Sequence, residues 1–433
     1  MKCPVYSTSL AFPDHPAIEE GKHIITYQEL HQLITRCVSG LEQWGLHSGH
    51  YVGISLPPTI KTIALMFGLL RLGIVIFPVN PKFPKPSRHT FFENISCKIV
   101  LDKVSDIPFL FTKTSQNDVS PHQHATAILT SGTTESKIAI HTLNNHISSA
   151  INSQENIPVE PGDKWLMSLP LFHVSGLSIL FRCILHGATI VIPTEKEPII
   201  SSLHNHSITH VSMVSTQLNR LLTSSPFVIP PTLKAILCGG GPIEPSQMST
   251  ALEKGLPLFQ TYGMTEMSSQ ITTTLPNTTD FSHCGKCLPN IHIRFSGNKE
   301  ILVKGPTLFS GYFKNGHVTL PLDVNGFFQT GDRGYFNPEG NLVILGRNDR
   351  MFISGGENIF PENIESQILL LKGVISCHIT PEKDIEFGLR PVADIKILPK
   401  VNVSLLENQV ENIFPKHSRP VLNMTTTTSH GSI

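Results

Sequence analysis

The stretch Thr130-Ser131-Gly132-Thr133-Thr134-Glu135-Ser136-Lys137 is the most informative part of the sequence, and it directly follows an apolar run at residues 125–129. The apolar run predicts a β-strand, so the stretch is a loop at a strand end. Gly132 lets the backbone approach a ligand, hydroxyl and amide groups can donate to phosphate oxygens, and Lys137 adds a positive charge. Residues of these types also form ordinary turns, so phosphate binding and a plain turn both remain open here. The spaced glycines and Gly-Lys-Ser/Thr ending of a Walker loop are absent.

The composition describes a globular protein of two or three domains. The chain has 433 residues, of which 40% are hydrophobic and 15% are charged. Lysine plus arginine and aspartate plus glutamate both number 33, so the charge balance predicts neither nucleic acid nor a membrane as a partner. The eight cysteines are too sparse for a disulfide scaffold, and the N-terminus lacks a signal-peptide core, so we expect a cytoplasmic protein. A homo-oligomer remains possible on these observations.

The order of elements predicts an α/β fold. Helical segments alternate with short β-branched strands at residues 51–55, 74–78, 188–192, 210–214 and 233–238. From about residue 291 shorter strands and hairpin turns follow, and a smaller unit begins after Gly346 with a predicted helix at 361–371. We therefore expect domains at 1–346 and 347–433, with the boundary near residues 346–350.

Two glycine-containing segments are candidate ligand loops. Gly239, Gly240 and Gly241 end a predicted strand, where open α/β sheets bind ligands, although a tight strand-to-helix turn is an equal alternative. Residues 260–266 (Gln-Thr-Tyr-Gly-Met-Thr-Glu) predict one tight loop after a short strand. In it Tyr262 can stack on a base, Thr265 can donate to a phosphate and Glu266 can bind Mg²⁺. A glycine loop with a helix-capping threonine is the alternative.

Three further segments carry weaker signals. Asp332, just past Gly331, can accept hydrogen bonds from a ribose, although Gly-Asp is also a common turn. His173 precedes a predicted turn of small residues. A histidine in this position can be structural or catalytic, and both interpretations stay open here. The single Cys284-x-x-Cys287 pair lacks the second pair that a zinc site usually needs, so residues 285–289 are interpreted as a turn.

The order of these motifs along the chain resembles the adenylate-forming superfamily of acyl-CoA synthetases, adenylation domains and luciferases. The specific strings are Tyr-Gly-Met-Thr-Glu at 262–266 and Ser-Gly-Gly-Glu-Asn-Ile at 354–359, and the resemblance spans nearly the whole chain. Residues 169–176, 346–349 and 386–392 are most similar to the o-succinylbenzoate–CoA ligase subgroup of menaquinone synthesis. The resemblance implies a large N-terminal domain of αβ-layered sheets with a small β-barrel-like part, then a small mobile α+β C-terminal domain.

The resemblance also implies roles for single residues. The phosphate loop would be formed by Ser131, Gly132, Thr133, Thr134 and Lys137. The adenine and α-phosphate would be enclosed by Gly239, Gly240, Gly241, Tyr262, Gly263 and Thr265. Glu266 would ligate Mg²⁺, and Asp332 and Arg347 would hold the ribose. His173 would lie at the acyl pocket, and Asp349 at or beside a hinge. The implied activity joins a carboxylic acid, through an acyl-adenylate made from ATP, to coenzyme A.

Two departures from the superfamily pattern predict weakened adenylation. Glu135-Ser136 replaces a Gly-x-Pro, which places a carboxylate beside phosphates. Ser432 stands where a catalytic lysine is expected, in a segment that ends at Ile433. Three alternatives to the leading hypothesis therefore remain: a ligase for another aryl or fatty acid, a nucleotide-binding pseudoenzyme, and a truncated C-terminus.

Overall fold

The computed structural model describes residues 1–110, 117–130, 137–194, 197–224, 228–241, 243, 245–275, 278–399 and 401–426. The described helices are α1 (Pro4–Ala11), α2 (Tyr27–Glu42), α3 (Ile60–Arg71), α4 (Lys85–Asn94), α5 (Leu143–Ser153), α6 (Val174–His186), α7 (Ile199–Asn205), α8 (Ser215–Leu222), α9 (Pro245–Glu253), α10 (Pro361–Leu369) and α11 (Val403–Ile413).

The strands are short in the first two thirds of the chain and longer near its end. They are β1 (Pro16–Glu20), β2 (His23–Thr26), β3 (Tyr51–Ile54), β4 (Val75–Pro78), β5 (Ile99–Leu101), β6 (His124–Leu129), β7 (Ile138–Thr142), β8 (Lys164–Leu166), β9 (Thr189–Ile192), β10 (His210–Met213), β11 (Ala235–Cys238), β12 (Leu258–Met264), β13 (Ser269–Thr273), β14 (Lys286–Cys287), β15 (His292–Phe295), β16 (Glu300–Lys304), β17 (Gly311–Lys314), β18 (His317–Thr319), β19 (Phe328–Phe336), β20 (Leu342–Arg347), β21 (Phe352–Ser354), β22 (Glu357–Ile359), β23 (Val374–Asp384), β24 (Gly388–Ile397) and β25 (Val421–Thr426).

Two large mixed sheets form the body of the molecule. One has nine strands in the order β14-β13-β12-β11-β10-β8-β9-β1-β2, and its β8–β12 neighbours are parallel. The other has seven strands in the order β18-β17-β7-β6-β4-β3-β5. Leu30 of α2, Leu65 of α3 and Leu177 of α6 are almost wholly buried in one core with Val52 of β3 and Ile190 of β9. The two sheets therefore share a helical layer, and the predicted α/β class is confirmed.

Local sequence signals explain where the shared helices begin and end. Thr26 accepts a hydrogen bond from the Glu29 backbone N–H, and the Glu29 side chain accepts one from Thr26, so α2 begins with a capping box. Helix α6 ends at Gly187, whose φ of 73° is the left-handed conformation that favours glycine at a helix C-terminus. Apolar residues occupy most of α3, because this helix is buried on nearly all sides.

Two smaller sheets follow in the chain. The four-stranded antiparallel sheet β15-β16-β19-β20 packs around Ile301, Phe309 and Phe328. The three-stranded sheet β23-β24-β25 packs with α10 and α11 around a separate core that includes Ile368 and Ile395. The antiparallel hairpins predicted after residue 291 are present, but the strands there are not shorter: β19, β23 and β24 have 9, 11 and 10 residues. The helix predicted at 361–371 is present as α10.

Several local predictions from the sequence were wrong. Residues 260–264 belong to strand β12, and only Thr265–Met267 forms a 3-10 turn, so the expected tight loop is mostly extended. Gly176, expected in a small-residue turn, lies in the first turn of α6. The alternative of a plain Gly-Asp turn at Asp332 also fails, since Asp332 lies inside β19. Lys286–Cys287 forms β14 within the interpreted turn at 285–289. In each case pairing with a distant strand or packing of a helix outweighs the local turn preference of glycine.

The described residues contain neither a membrane-spanning helix nor a cluster of metal-ligating side chains. No helix in the described ranges is long and apolar enough to cross a membrane. The same part of the chain contains no group of three or more His, Cys, Asp or Glu side chains arranged to hold a metal ion. All eight cysteines are free thiols.

Candidate active site

The two ends of the predicted phosphate loop lie side by side. Strand β6 leads into Thr130 and β7 leaves from Lys137, and these strands pair antiparallel. The Thr130 backbone N–H donates to the Lys137 carbonyl at 2.9 Å, and the Lys137 N–H donates to Thr130 Oγ1 at 3.3 Å. Ser131, Gly132, Thr133, Thr134 and Glu135 lie outside the described residues, as does Ser432.

Lys137 and Glu266, predicted to act together, are joined by a third side chain. The Lys137 ammonium lies 4.8 Å from the centre of the Tyr312 ring. The Tyr312 hydroxyl donates to Glu266 Oε1 at 2.5 Å. The structure thus brings the lysine to the ring and the carboxylate to the hydroxyl of one tyrosine.

Glu266 fits the role of a magnesium ligand. Glu266 is only 8% exposed, and its carboxylate forms no ion pair with any described residue. A buried carboxylate without a cationic partner is costly, and a hard divalent cation is the usual compensation. The Glu266 charge also contributes to raising the pKa of Asp332, after the larger effect of burial. Bound positive charge would relieve both effects.

The Thr265–Glu266 turn is held by a histidine that the sequence motifs did not indicate. His141 Nε2 lies 2.7 Å from the Thr265 carbonyl oxygen, so this nitrogen carries the proton and donates. Burial lowers the pKa of His141 to about 4, which keeps the ring neutral. His141 lies on β7, four residues after Lys137, and therefore ties the strand after the phosphate loop to the turn with Glu266.

Tyr262, Asp332 and Arg347 form a connected group, as their predicted nucleotide roles require. The Tyr262 hydroxyl donates to Asp332 Oδ2 at 2.7 Å, and Arg347 Nη1 lies 3.3 Å from Asp332 Oδ1. Arg347 Nε also donates to Asp349 Oδ1 at 3.0 Å. Asp332 and Arg347 meet because β19 and β20 pair these two residues directly. Contact with Asp349 raises the pKa of Arg347, so the guanidinium group stays positively charged.

The glycines lie next to this group. Gly239, Gly240 and Gly241 follow β11, whose neighbour β12 carries Tyr262. A Cβ on Gly239 would lie 2.6 Å from Thr261 Cγ2, so the backbone passes close to β12. Gly240 has a φ of 82°, in which a residue with a side chain would be strained. The backbone has open space at Gly241, since a Cβ there would meet nothing within 4 Å.

His173 and Arg182 lie on one helix. His173 caps the N-terminus of α6, and its pKa is lowered by burial. Within the described part of the chain its ring contacts Phe172 and shares no hydrogen bond with the other candidate residues. Arg182, which the sequence analysis did not select, is 1% exposed and forms no ion pair with a described residue.

Arg182 reaches the strand beside the Tyr-Gly-Met-Thr-Glu motif. Its Nη2 donates to Gln270 Oε1 at 2.5 Å, and Gln270 is the β13 partner of Gly263. The guanidinium lies 5.2 Å from the Trp165 ring, and burial lowers its pKa to about 10. It is therefore a buried positive charge with neutral partners, which suits an anionic ligand.

Comparison with known proteins places this geometry in a family. The sequence profile of AMP-binding enzymes matches residues 7–313. The chain belongs to the AMP-binding enzyme family. Within the family it is similar to the 2-succinylbenzoate–CoA ligase of Bacillus pumilus, with 31% identity over 427 residues, 91% of this chain and 88% of the relative. The ligase of the same name from Bacillus licheniformis is 32% identical over 417 residues, covering 88% of this chain and 86% of the relative.

Solved structures of family members have the same fold. The o-succinylbenzoate coenzyme A synthetase of Bacillus subtilis in complex with ATP and magnesium ion has a TM-score of 0.90 and 27% identity, covering 99% of this chain and 96% of the other. The E. coli MenE protein with a bound analogue of OSB-AMS has a TM-score of 0.84 and 30% identity, covering 99% and 96% of the two chains. The family resemblance seen in the sequence motifs is thus confirmed.

Proposed function

We propose that this protein is an acid–CoA ligase that activates o-succinylbenzoate with ATP and passes the acyl group to coenzyme A, a step of menaquinone biosynthesis in the cytoplasm. The observation that carries the proposal is the convergence of three parts: Lys137 with Glu266, the Tyr262–Asp332–Arg347 group, and the glycines after β11. The relatives named 2-succinylbenzoate–CoA ligase support the choice of acid, since this chain covers most of their length.

The described residues fit ATP and Mg²⁺ on chemical grounds. Asp332 offers carboxylate oxygens to the ribose hydroxyls, Tyr262 holds that carboxylate, and the Gly239–Gly241 backbone leaves space beside it. Glu266 is the residue that would hold Mg²⁺. When bound, Mg²⁺ supplies positive charge at the phosphate oxygens. Ser131, Thr133, Thr134 and Lys137 would contribute hydroxyl donors and an ammonium group to the β- and γ-phosphates.

The reaction divides into two displacements. In the first, an oxygen of the substrate carboxylate attacks the α-phosphorus, the bond to the β-phosphate oxygen breaks, and pyrophosphate leaves with that electron pair. Lys137 and Thr265 would stabilise the charge that develops on the phosphate oxygens. In the second, the thiolate of coenzyme A attacks the acyl carbonyl, and AMP leaves as the thioester forms. The protein contributes alignment and charge, and it excludes water from the mixed anhydride.

A buried arginine beside the site favours a substrate with two carboxylates. One carboxylate must reach the α-phosphorus, and a second would be unpaired and buried unless the protein offers a positive charge. Arg182 is such a charge, because it is buried with only neutral partners among the described residues. His173, at the start of the same helix, would lie at the acyl group.

The division into a large domain at 1–346 and a small domain at 347–433 is part of the proposal. A separate core around Ile368 and Ile395 supports it. Asp349, which Arg347 holds, would lie at the hinge, and rotation of the small domain would admit coenzyme A after adenylation.

Thioester formation with a panel of acids tests the proposed function. Purified protein with ATP, Mg²⁺ and coenzyme A should convert o-succinylbenzoate at least tenfold more efficiently than 4-oxo-4-phenylbutanoate, which lacks the ring carboxylate. The margin follows from the loss of one charge-assisted hydrogen-bonded contact, about 1.5–3 kcal/mol. Benzoate and a medium-chain fatty acid serve as further acids. Faster reaction with any of these than with o-succinylbenzoate would contradict the substrate assignment.

A further inference from the structure

Tyr312 stands between the two charged side chains of the phosphate and metal region. It lies on β17, which pairs antiparallel with β7, and its register partner is Ala139, two residues past Lys137. This register brings its ring against the Lys137 ammonium, with 4.8 Å between Nζ and the ring centre. Its hydroxyl donates to Glu266 Oε1 at 2.5 Å. One side chain therefore contacts both groups: its ring contacts the Lys137 ammonium, and its hydroxyl contacts the Glu266 carboxylate.

The surroundings of Tyr312 fix its orientation. The Phe309 ring packs edge-on against it at a centroid distance of 4.8 Å and an interplanar angle of 74°. The Phe309 backbone N–H donates to the Glu266 carbonyl at 2.8 Å, so the segment that carries Tyr312 also holds the Glu266 main chain. A phenol hydroxyl is a hydrogen-bond donor, so Tyr312 can donate to the Glu266 carboxylate in this orientation.

We propose that Tyr312 is a positioning residue for MgATP, whose hydroxyl orients the Glu266 carboxylate toward the metal and whose ring holds the Lys137 ammonium at the phosphates. The inference rests on the proposed function only in requiring that the site binds MgATP. Hydrogen bonds to a ligating carboxylate fix its orientation, and their loss typically weakens metal affinity about 10–100-fold. A cation held over an aromatic face keeps its position without losing charge.

The two contacts can be separated by substitution. Tyr312→Phe removes the hydroxyl and keeps the ring, so it isolates the effect on Glu266. Tyr312→Leu removes both contacts. Tyr335→Phe removes a hydroxyl from a tyrosine on β19 that is 42% exposed and remote from these contacts, and it is the matched control.

The experiment measures nucleotide binding to the full chain by calorimetry, with α,β-methylene-ATP as the probe so that adenylation cannot occur. Each variant is titrated in EDTA and at a series of Mg²⁺ concentrations. For Tyr312→Phe we expect the Mg²⁺ concentration that gives half of the maximal affinity gain to rise about tenfold or more, with the affinity in EDTA within twofold of wild type. For Tyr312→Leu we expect the same rise and, in addition, an affinity in EDTA lowered about threefold to tenfold.

A merely structural role would move thermal stability and leave the Mg²⁺ dependence unchanged. The inference is therefore overturned if Tyr312→Phe, like the control Tyr335→Phe, has the same Mg²⁺ dependence of nucleotide affinity as wild type. It is also overturned if wild type gains no affinity from Mg²⁺. If Tyr312→Leu does not fold, the Tyr312→Phe titration decides alone. Failure of the proposed function looks different: wild type then binds the nucleotide with Mg²⁺ but forms no thioester from o-succinylbenzoate.

Discussion

Asp332 connects Tyr262 to Arg347 in the proposed ribose site. It accepts a hydrogen bond from Tyr262 and pairs with Arg347, while Glu266 and Asp349 add negative charge nearby. Burial is the largest cause of its raised pKa. Tyr262 and Arg347 fix the orientation of the Asp332 carboxylate. The carboxylate is therefore positioned to accept hydrogen bonds from two hydroxyl groups.

Substitution Asp332→Asn should weaken ATP binding by removing the charged acceptor for the ribose. We expect a loss of about 10–100-fold, as for hydrogen bonds to a charged group. The loss should disappear with 2′,3′-dideoxy-ATP, which has no ribose hydroxyls to donate. Calorimetric titration of both nucleotides into both proteins measures this. An equal loss for the two nucleotides would show that Asp332 acts on the site through folding and not through the ribose.

Some side chains of the candidate site were predictable from the sequence and others were not. Glu266, Asp332 and Lys137 lie in short strings whose residue types and order indicated adenylate-forming chemistry. Tyr312, His141 and Arg182 lie in strands or a helix whose pattern is that of core elements. Their partners are distant in sequence: Tyr312 is 46 residues from Glu266, and His141 is 124 residues from Thr265. Only strand register and helix packing bring them to the site.

At the level of elements, β12 shows how pairing in a hairpin with the next strand overrides the local turn preference of glycine. Gly263 and the polar residues around it predicted a loop, yet Thr261 to Met264 pair with β13 through an irregular register. A Cβ on Gly263 would lie 1.8 Å from the Ser269 carbonyl oxygen, so glycine is needed for close approach of the two strands. The strand carries Tyr262 and leads into the Thr265–Glu266 turn, so its register positions both.

Substitution Gly263→Ala should therefore destabilise the protein and weaken nucleotide binding together. We expect the free energy of unfolding to fall by about 1–3 kcal/mol or more, as for other overpacked sites. Gly297→Ala is the matched control, since a Cβ there meets nothing within 4 Å. Urea denaturation of both variants provides the comparison. Equal stability of the two would mean that the β12–β13 approach is not as close as described.

Most elements before residue 260 were predictable because short β-branched runs and glycine turns alternate there regularly. The strands predicted at residues 51–55 and 74–78, for example, correspond to β3 and β4. The errors cluster at glycines next to the site. At these positions glycine lets two strands approach each other closely. At Gly176 it lets a helix approach the Pro170 carbonyl.

At the scale of the whole molecule, buried histidines couple stability to pH. Burial lowers the pKa of His141 and of His210 to about 4, compared with about 6.5 in an unfolded chain. Below pH 6.5 these histidines bind protons in the unfolded state, whereas in the folded state they stay neutral until the pH approaches 4. The free energy of unfolding should therefore fall as the pH falls from about 6.5 to about 4, by up to about 1.4 kcal/mol per pH unit for each such histidine.

The His210 contribution can be isolated by comparing variants. His210 is 1% exposed and stacks on Trp165, so His210→Gln will lower stability at pH 7.5. Its free energy of unfolding should nevertheless depend less steeply on pH between 6.5 and 5 than that of wild type, by close to one proton. His317→Gln, at an exposed histidine, is the control and should keep the wild-type slope. An unchanged slope in His210→Gln would mean that His210 titrates normally in the folded protein.

Acid-dependent exchange of labelled pyrophosphate into ATP tests whether this protein adenylates o-succinylbenzoate. The measurement needs no coenzyme A, so it isolates the step that Lys137, Glu266 and Asp332 would support. We predict exchange that requires both o-succinylbenzoate and Mg²⁺ and that is faster in Glu135→Gly, where a carboxylate leaves the phosphate loop. Nucleotide binding without acid-dependent exchange, in wild type and in Glu135→Gly alike, would contradict the claim.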